Sequence, residues 1–189
     1  MNKFRFDETK HEYWNGKIKL LSVNQIIDLA GWEYKFSNTQ AMEKGKLAHK
    51  TIEMAVGGVL DRNALDPVLA VYLVAFERIK DELGFDIIAT EQQLYSKRYP
   101  IAGTLDMVAM YNNKLTIIDL KTGQPNPKRE RLQTAGYMSI YNGNKSPMDC
   151  VEQRMIIYLK TGTYVLFNNH VSDIETFKAC IKIAFYKIS

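Results

Sequence analysis

Apolar positions recur at helical spacing through the first half of the chain and at shorter period through its middle. An opening stretch mixing charge with Phe4, Phe6, Tyr13 and Trp14, then Gly16, reads as a small hairpin. Ser22-Val23-Asn24-Gln25 then has the form of a capping box. Ile26, Ile27, Leu29 and Ala30 give the helix it opens an apolar stripe, and Gly31 closes it. A second helix is predicted over 40–56. A third starts at Asp66-Pro67, a cap followed by a first-turn proline, runs through Val71, Tyr72, Val74, Ala75 and Ile79, and stops at Gly84.

After Gly84 the period shortens. Strands are predicted over 85–95, 101–111 and 114–120, a loop with Pro125 and Pro127 over 122–130, and a helix over 131–141. Two further strands, 155–159 and 163–167, flank a turn at Thr161-Gly162. Ser172-Asp173-Ile174-Glu175 reads as a second capping box, opening a terminal helix to about Ile188. With no repeat and no Gly/Ser linker, residues 1–189 read as one α/β domain, a mixed β-sheet flanked by helices.

The middle of that pattern carries chemistry. A two-residue turn at Asn112-Asn113 suits a type I′ hairpin, because Asn tolerates the left-handed conformation. Tyr111 then faces Lys114, Val108 faces Ile117 and Asp106 faces Asp119, with Lys121 on the same face as both acids. Opposed carboxylates about 5 Å apart repel by roughly 3 kcal/mol at an effective dielectric near 20. A divalent cation between them reverses the sign. Asp119 also interrupts the apolar run Leu115 to Leu120, where a carboxylate is costly unless paired or metal-bound. An ion pair with Lys121 is the bland alternative. Carboxylates with a backbone carbonyl suit Mg²⁺ or Mn²⁺, and a lysine beside them can orient or deprotonate a water or stabilise phosphoryl oxygens.

Composition narrows the class. The chain is 46% hydrophobic and 24% charged, as folded domains are, and its net charge of +4 is compatible with a polyanionic partner without requiring one. Its only cysteines, Cys150 and Cys180, exclude a four-cysteine zinc site and an iron–sulfur cluster. No stretch reaches the roughly 18 apolar residues of a membrane span. The residues from Met1 to Glu8 lack a signal peptide's apolar core, so a cytoplasmic location is expected.

Other residues acquire meaning only through position. Gly45, His49, Ile52 and Val56 share a helix face. A lone inward histidine is ordinarily a core residue, but Gly45 one turn earlier costs about 1 kcal/mol of helix propensity, which points to a close approach to its backbone. Gln133 and Tyr137 are one turn apart on a predicted helix. Glu91 precedes the hairpin and reaches its acids if its strand adjoins; an exposed strand glutamate is the alternative. Lys97 and Arg98, and then Lys128, Arg129 and Arg131, form basic clusters that read as phosphate contacts or as solvated loops.

Gly45-Lys46-Leu47-Ala48-His49, Gly103-Thr104-Leu105-Asp106, Asp119-Leu120-Lys121 and Gln133-Thr134-Ala135-Gly136-Tyr137 stand in an order that resembles the PD-(D/E)XK nuclease superfamily. The likeness is to its RecB-like, phage-type exonuclease branch without an iron–sulfur cluster, and covers roughly residues 5–160. It implies a restriction-endonuclease-like core and hydrolysis of DNA phosphodiester bonds with Mg²⁺ or Mn²⁺. It further implies Asp106, Asp119 and the Leu120 carbonyl as metal ligands, His49 as a further ligand and Lys121 as the catalytic lysine. Gln133 and Tyr137 would support substrate or water, and Glu91 matches a strand acid of many relatives. Leu105 stands where the superfamily's nominal proline would be.

Expected partners are DNA ends or single strands, with any recombinase, helicase or single-strand-binding protein supplied by another chain, and no membrane. The Lys-Thr-Gly triplets at 121–123 and 160–162 do not indicate a penicillin-recognising enzyme, because no serine is followed three residues later by lysine. The chain also lacks a P-loop. A catalytically silent DNA-binding or recombination-accessory module on the same fold is the main rival, and an endonuclease on the same scaffold is the second.

Overall fold

The computed structural model of the chain describes residues 4–33, 39–167 and 170–189. The expectation about a leader begins at Met1, and residues 1–3 lie outside the described residues. In chain order come β1 (Phe4–Asp7), β2 (Glu12–Asn15), β3 (Ile18–Ser22), α1 (Val23–Leu29), α2 (Thr39–Val56) and α3 (Pro67–Leu83). They are followed by β4 (Asp86–Tyr95), β5 (Ile101–Tyr111), β6 (Lys114–Lys121), α4 (Pro127–Asn142), β7 (Gln153–Tyr158), β8 (Thr163–Phe167) and α5 (Val171–Ile188).

Local chemistry accounts for most boundaries. Ser22 accepts from Gln25 N at 3.1 Å while the Gln25 side chain accepts from Ser22 N at 2.8 Å, a complete capping box. Asp66 caps α3 ahead of Pro67, and Gly84 ends it in the left-handed conformation at φ 64°. Asn112 and Asn113 both have positive φ, as the type I′ turn demands.

Three elements differ from the sequence pattern by more than a shift of one or two residues in a strand or helix end, or in how they are capped. The opening hairpin gains β3 and becomes a three-stranded meander. The segment expected to remain a loop until residue 130 is helical from Pro127: Asn126 caps α4 and proline takes its first turn, so Lys128 and Arg129 are helical. The second capping box does not form. α5 starts at Val171, two residues ahead of the start that a Ser172 cap implies, and the Glu175 carboxylate pairs with Lys178.

The strands form one mixed sheet ordered β1-β2-β3-β5-β6-β7-β8, with β4 also paired to β5. β3 runs parallel to β5 and β6 parallel to β7; the other pairs are antiparallel. One face packs on α1, α4 and α5 through Val23, Ile27, Ala135, Met138, Phe177 and Ile181. The other packs on α2 and α3 through Ala48, Ile52, Leu73, Phe76 and Ile79. Sheets covered by helices on both faces read as nearly continuous apolar runs, and β7 is buried along its whole length. None of the described helices is long and apolar enough to cross a membrane.

The topology opens a gap where the chemistry lies. Ala102 of β5 pairs with Tyr95 of β4 on one edge and with Ser22 of β3 on the other. Further along, Met107 pairs with Thr90 of β4 and with Ile118 of β6. β3 and β6 therefore share one edge of β5 end to end. Between them, Gly103-Thr104-Leu105-Asp106 has no ladder partner on that edge among the described residues.

Candidate active site

The hairpin register holds from Tyr111–Lys114 to Met107–Ile118 and stops there. Asp106 and Asp119, expected as the next opposed pair, are not paired; the strands part at that step. Asp106 Oδ2 accepts a hydrogen bond from Leu120 N at 2.7 Å, so a side chain takes the place of the missing ladder bond.

The other edge of β5 breaks at the same residue. Thr90–Met107 and Gln92–Leu105 are paired, but Glu91 and Asp106 between them are not. Glu91 is left-handed at φ 48°, a strained state for a residue with a side chain. β5 loses its alternation here: Leu105 packs with the α1/α4/α5 face, and Met107, two residues on, packs with the α2/α3 face. The kink at Asp106 brings its carboxylate to α2, where Oδ1 lies 3.3 Å from His49 Nδ1.

His49, Glu91 and Asp106 each offer one ligand atom, and these atoms lie within 4.8 Å of one another. One imidazole and two carboxylates suit a divalent cation. Asp119 stands on the α4 side. Its Oδ2 is 2.5 Å from Lys121 Nζ, yet this enclosed oxygen receives no properly directed hydrogen bond. An acceptor held by charge alone retains capacity for a cation, so the donor set fits a metal.

Lys121 Nζ donates to Gln133 Oε1 at 2.8 Å, and Gln133 Nε2 donates to the Tyr137 hydroxyl at 3.4 Å. The two helix motifs thus meet the strand motifs directly. Gly45 lies where a Cβ would come within 3.1 Å of Thr122 Oγ1, the close approach that its place in a helix had suggested. Tyr13 of the meander reaches the same region, its hydroxyl 3.0 Å from Thr104 Oγ1.

The electrostatics are those of crowded, partly desolvated charges. Burial works against the His49 cation, but Asp106 outweighs it and holds His49 up at about 9. Burial raises Asp106, and His49 more than compensates, leaving it below the usual carboxylate range. Glu91 is pushed up to about 7, by burial first and by Asp106 second. Asp119 is pushed up to about 6, chiefly by burial, with Lys121 opposing and Asp106 adding. Lys121 remains above the ordinary lysine value because Asp119 and Asp106 overcome its desolvation.

The basic clusters divide. Lys97, Arg98 and Lys128 are exposed. Arg129 is engaged inside the molecule, donating to Asp28 Oδ1 at 2.7 Å, Asn24 Oδ1 at 3.0 Å and the Trp32 carbonyl at 3.2 Å. Arg131 pairs with Asp173 at 2.7 Å. These two guanidinium groups clamp α4 to α1 and α5. Their place in a basic run gave no sign of it, because their acidic partners are remote in sequence. Glu130 and Tyr158, which sequence pattern had not marked, are hydrogen-bonded behind Lys121 at 2.6 Å. The one available signal was a glutamate four residues after the helix-capping Asn126.

No curated protein matches the chain in sequence. Among solved structures it is similar to the alkaline exonuclease LHK-Exo from Laribacter hongkongensis in complex with dAMP. That match has 11% identity and a TM-score of 0.50, and covers 89% of this chain and 87% of that one. A phage-related exonuclease from Haemophilus somnus aligns at 14% identity and a TM-score of 0.45, over 90% of this chain and 96% of that one. The first of these likenesses shows a shared fold. A sequence model of the PD-(D/E)XK nuclease superfamily matches residues 62–179, which include the strands carrying Glu91, Asp106, Asp119 and Lys121 and the helix carrying Gln133 and Tyr137. The chain belongs to the PD-(D/E)XK nuclease superfamily.

Proposed function

We propose that residues 1–189 form one nuclease domain that hydrolyses DNA phosphodiester bonds with Mg²⁺ or Mn²⁺, working from ends as an exonuclease. Its setting would be the replication, recombination or repair of a phage or mobile element. The observation that carries the reading is the double break of β5 at Asp106, which gathers His49, Glu91 and Asp106 on one side and leaves Asp119 and Lys121 on the other.

In this reading His49, Glu91, Asp106, Asp119 and the Leu120 carbonyl hold the cation. When bound, it supplies charge neutralisation at the phosphoryl group and acidifies a water. Lys121 presents its ammonium to the water or to the phosphoryl oxygens, and Gln133 fixes the direction in which it points. Tyr137 closes the chain of donors. Lys97, Arg98 and Lys128, all exposed, would contact phosphates, while Arg129 and Arg131 would contribute by holding α4. The end-directed mode follows the motif order and is the mode named for the alkaline exonuclease whose fold is shared.

The test is hydrolysis of end-labelled DNA with Mg²⁺ or Mn²⁺ by wild type, Asp119→Asn and Lys121→Ala. Loss in both variants supports the mechanism, and equal activity in all three overturns it. DNA binding without cleavage by any of them would make the chain a silent binding module.

A further inference from the structure

Glu130 is a buried carboxylate that the proposed chemistry does not use. It is 4% exposed, and Tyr158 beside it is equally enclosed. A carboxylate in such a place is costly unless both oxygens are occupied. Both are: Oε1 accepts from Asn126 N at 3.0 Å, and Oε2 accepts from the Tyr158 hydroxyl at 2.6 Å. The second is in the short range of charge-assisted bonds.

Tyr158 has a fixed relation to the lysine. It is the β7 residue in register with Lys121, and the next residue, Leu159, donates its N–H to the Lys121 carbonyl at 2.8 Å. Glu130 in turn has a fixed relation to Gln133, three residues on along α4 and on the same side of the helix. Gln133 accepts from Lys121 Nζ. The contacts form a closed ring: Lys121 backbone, Tyr158, Glu130, Gln133, Lys121 side chain. The only covalent link between β6 and α4 is the segment 122–126, whose last residue Glu130 itself holds.

We infer that Glu130 and Tyr158 are positioning residues that set where α4 presents Gln133 and hence where the Lys121 ammonium points. This rests on the nuclease reading above. The side-chain hydrogen bonds of the pair go to each other and to Asn126 N rather than to the ligand set, so they act through α4. A misplacement on the scale of an ångström at a catalytic group is enough to cost turnover severely.

The experiment compares steady-state cleavage of end-labelled DNA with Mn²⁺ by wild type, Tyr158→Phe, Glu130→Gln, Glu130→Ala, Gln133→Ala and Tyr158→Phe/Gln133→Ala. The Mn²⁺-induced rise in Tm is followed in each. Tyr158→Phe is expected to lower kcat about tenfold with KM and the Mn²⁺ shift unchanged. Glu130→Gln retains an acceptor for Asn126 N and an amide that can donate to the Tyr158 oxygen, so it recovers most of what Glu130→Ala loses. The double variant is expected to be no slower than Gln133→Ala alone.

Full activity in Tyr158→Phe, or effects that multiply in the double variant, would overturn the inference even if Glu130→Ala fails to fold. Glu130→Gln as slow as a folded Glu130→Ala would also overturn it, because the charge and not the geometry would then matter. A wild type that cleaves nothing removes the nuclease reading and this inference together, a result distinct from an active enzyme with independent effects.

Discussion

The ring of Tyr137 fills the space beside Gly103: a Cβ on that glycine would stand 2.7 Å from Tyr137 Cε1 and 3.4 Å from Val23 Cγ2. Glycine is thus required in β5 by the approach of α4 and not by its own backbone, whose φ is not positive. Gly103→Ala is expected to push Tyr137 away from Gln133, destabilising the fold by about 1–3 kcal/mol as overpacking does. It should also cut kcat at least tenfold. Gly136→Ala makes a similar clash, with Phe177 at 2.7 Å and Val23 at 2.8 Å, but its methyl meets α5 and α1 rather than the site. Paired measurements of Tm and kcat should show Gly103→Ala losing more activity for the same stability. Equal activity in the two folded variants would remove Tyr137 from the site.

Metal linkage offers a second measurement. Mn²⁺ should raise Tm, because a ligand of the native state alone stabilises it. Asp106→Asn should blunt that rise, and an undiminished rise would place the metal elsewhere. Proton and metal compete for His49, held up at about 9 by Asp106 against its burial. At fixed Mn²⁺ the rise in Tm is therefore expected to grow as pH increases toward about 9. In His49→Ala that growth should be much reduced; a slope unchanged by the substitution would exclude His49 as a ligand.

Without metal the same histidine gives the opposite trend. Its folded value, about 9, lies above the unfolded value of 6.5, so its pairing with Asp106 stabilises fully below 6.5 and is lost as pH rises through about 9. In chelator, wild type should lose Tm across that window, and His49→Gln should lose less. On the acid side, Asp173 is held below the usual range: burial raises it, but Arg154 and Arg131 outweigh burial. Its contribution is present above its unfolded value of 3.8 and fades as pH falls through the depressed one. A chelated wild type with flat Tm on the alkaline side would contradict the His49–Asp106 pair.

What sequence reveals and what it conceals divide along the range of the interactions involved. The Asn112-Asn113 turn, the Ser22–Gln25 capping box and the Asp66-to-Gly84 helix rest on bonds within a few residues, and all three were legible. Ser172-Asp173-Ile174-Glu175 fits the same local rule and misleads: α5 already starts at Val171, and Asp173 is held by Arg154 and Arg131 across the fold. Arg129 was invisible for the same reason: its partners Asn24 and Asp28 are on α1. The strand alternation that put Asp106 opposite Asp119 assumes an unbroken ladder. It could not foresee that β5 kinks at Asp106 or that Glu91 opposite takes φ 48°. The residues of the centre were therefore named from sequence, while the break that assembles them was not.

Arg154 supplies the last prediction. It is fully buried and spans three elements: Nη2 donates to Asp173 Oδ2 at 2.5 Å, Nη1 to the Arg131 carbonyl at 2.8 Å and Nε to His170 Nδ1 at 3.1 Å. Its guanidinium also lies 5.4 Å from the Phe167 ring centroid. Removing one member of a buried pair strands the other, at about 3–5 kcal/mol, whereas replacing both can be nearly neutral. Arg154→Met leaves Asp173 paired only with the partly exposed Arg131, so it should cost part of that amount, about 1–3 kcal/mol in urea unfolding, although methionine fills similar space. Asp173→Asn added to Arg154→Met should recover part of that loss. Arg131→Ala should cost less, because its side chain is 42% exposed and Asp173 keeps its buried partner. Should Arg154→Met unfold with no less free energy than wild type, the Arg154–Asp173 pair would be a neutral feature of the fold.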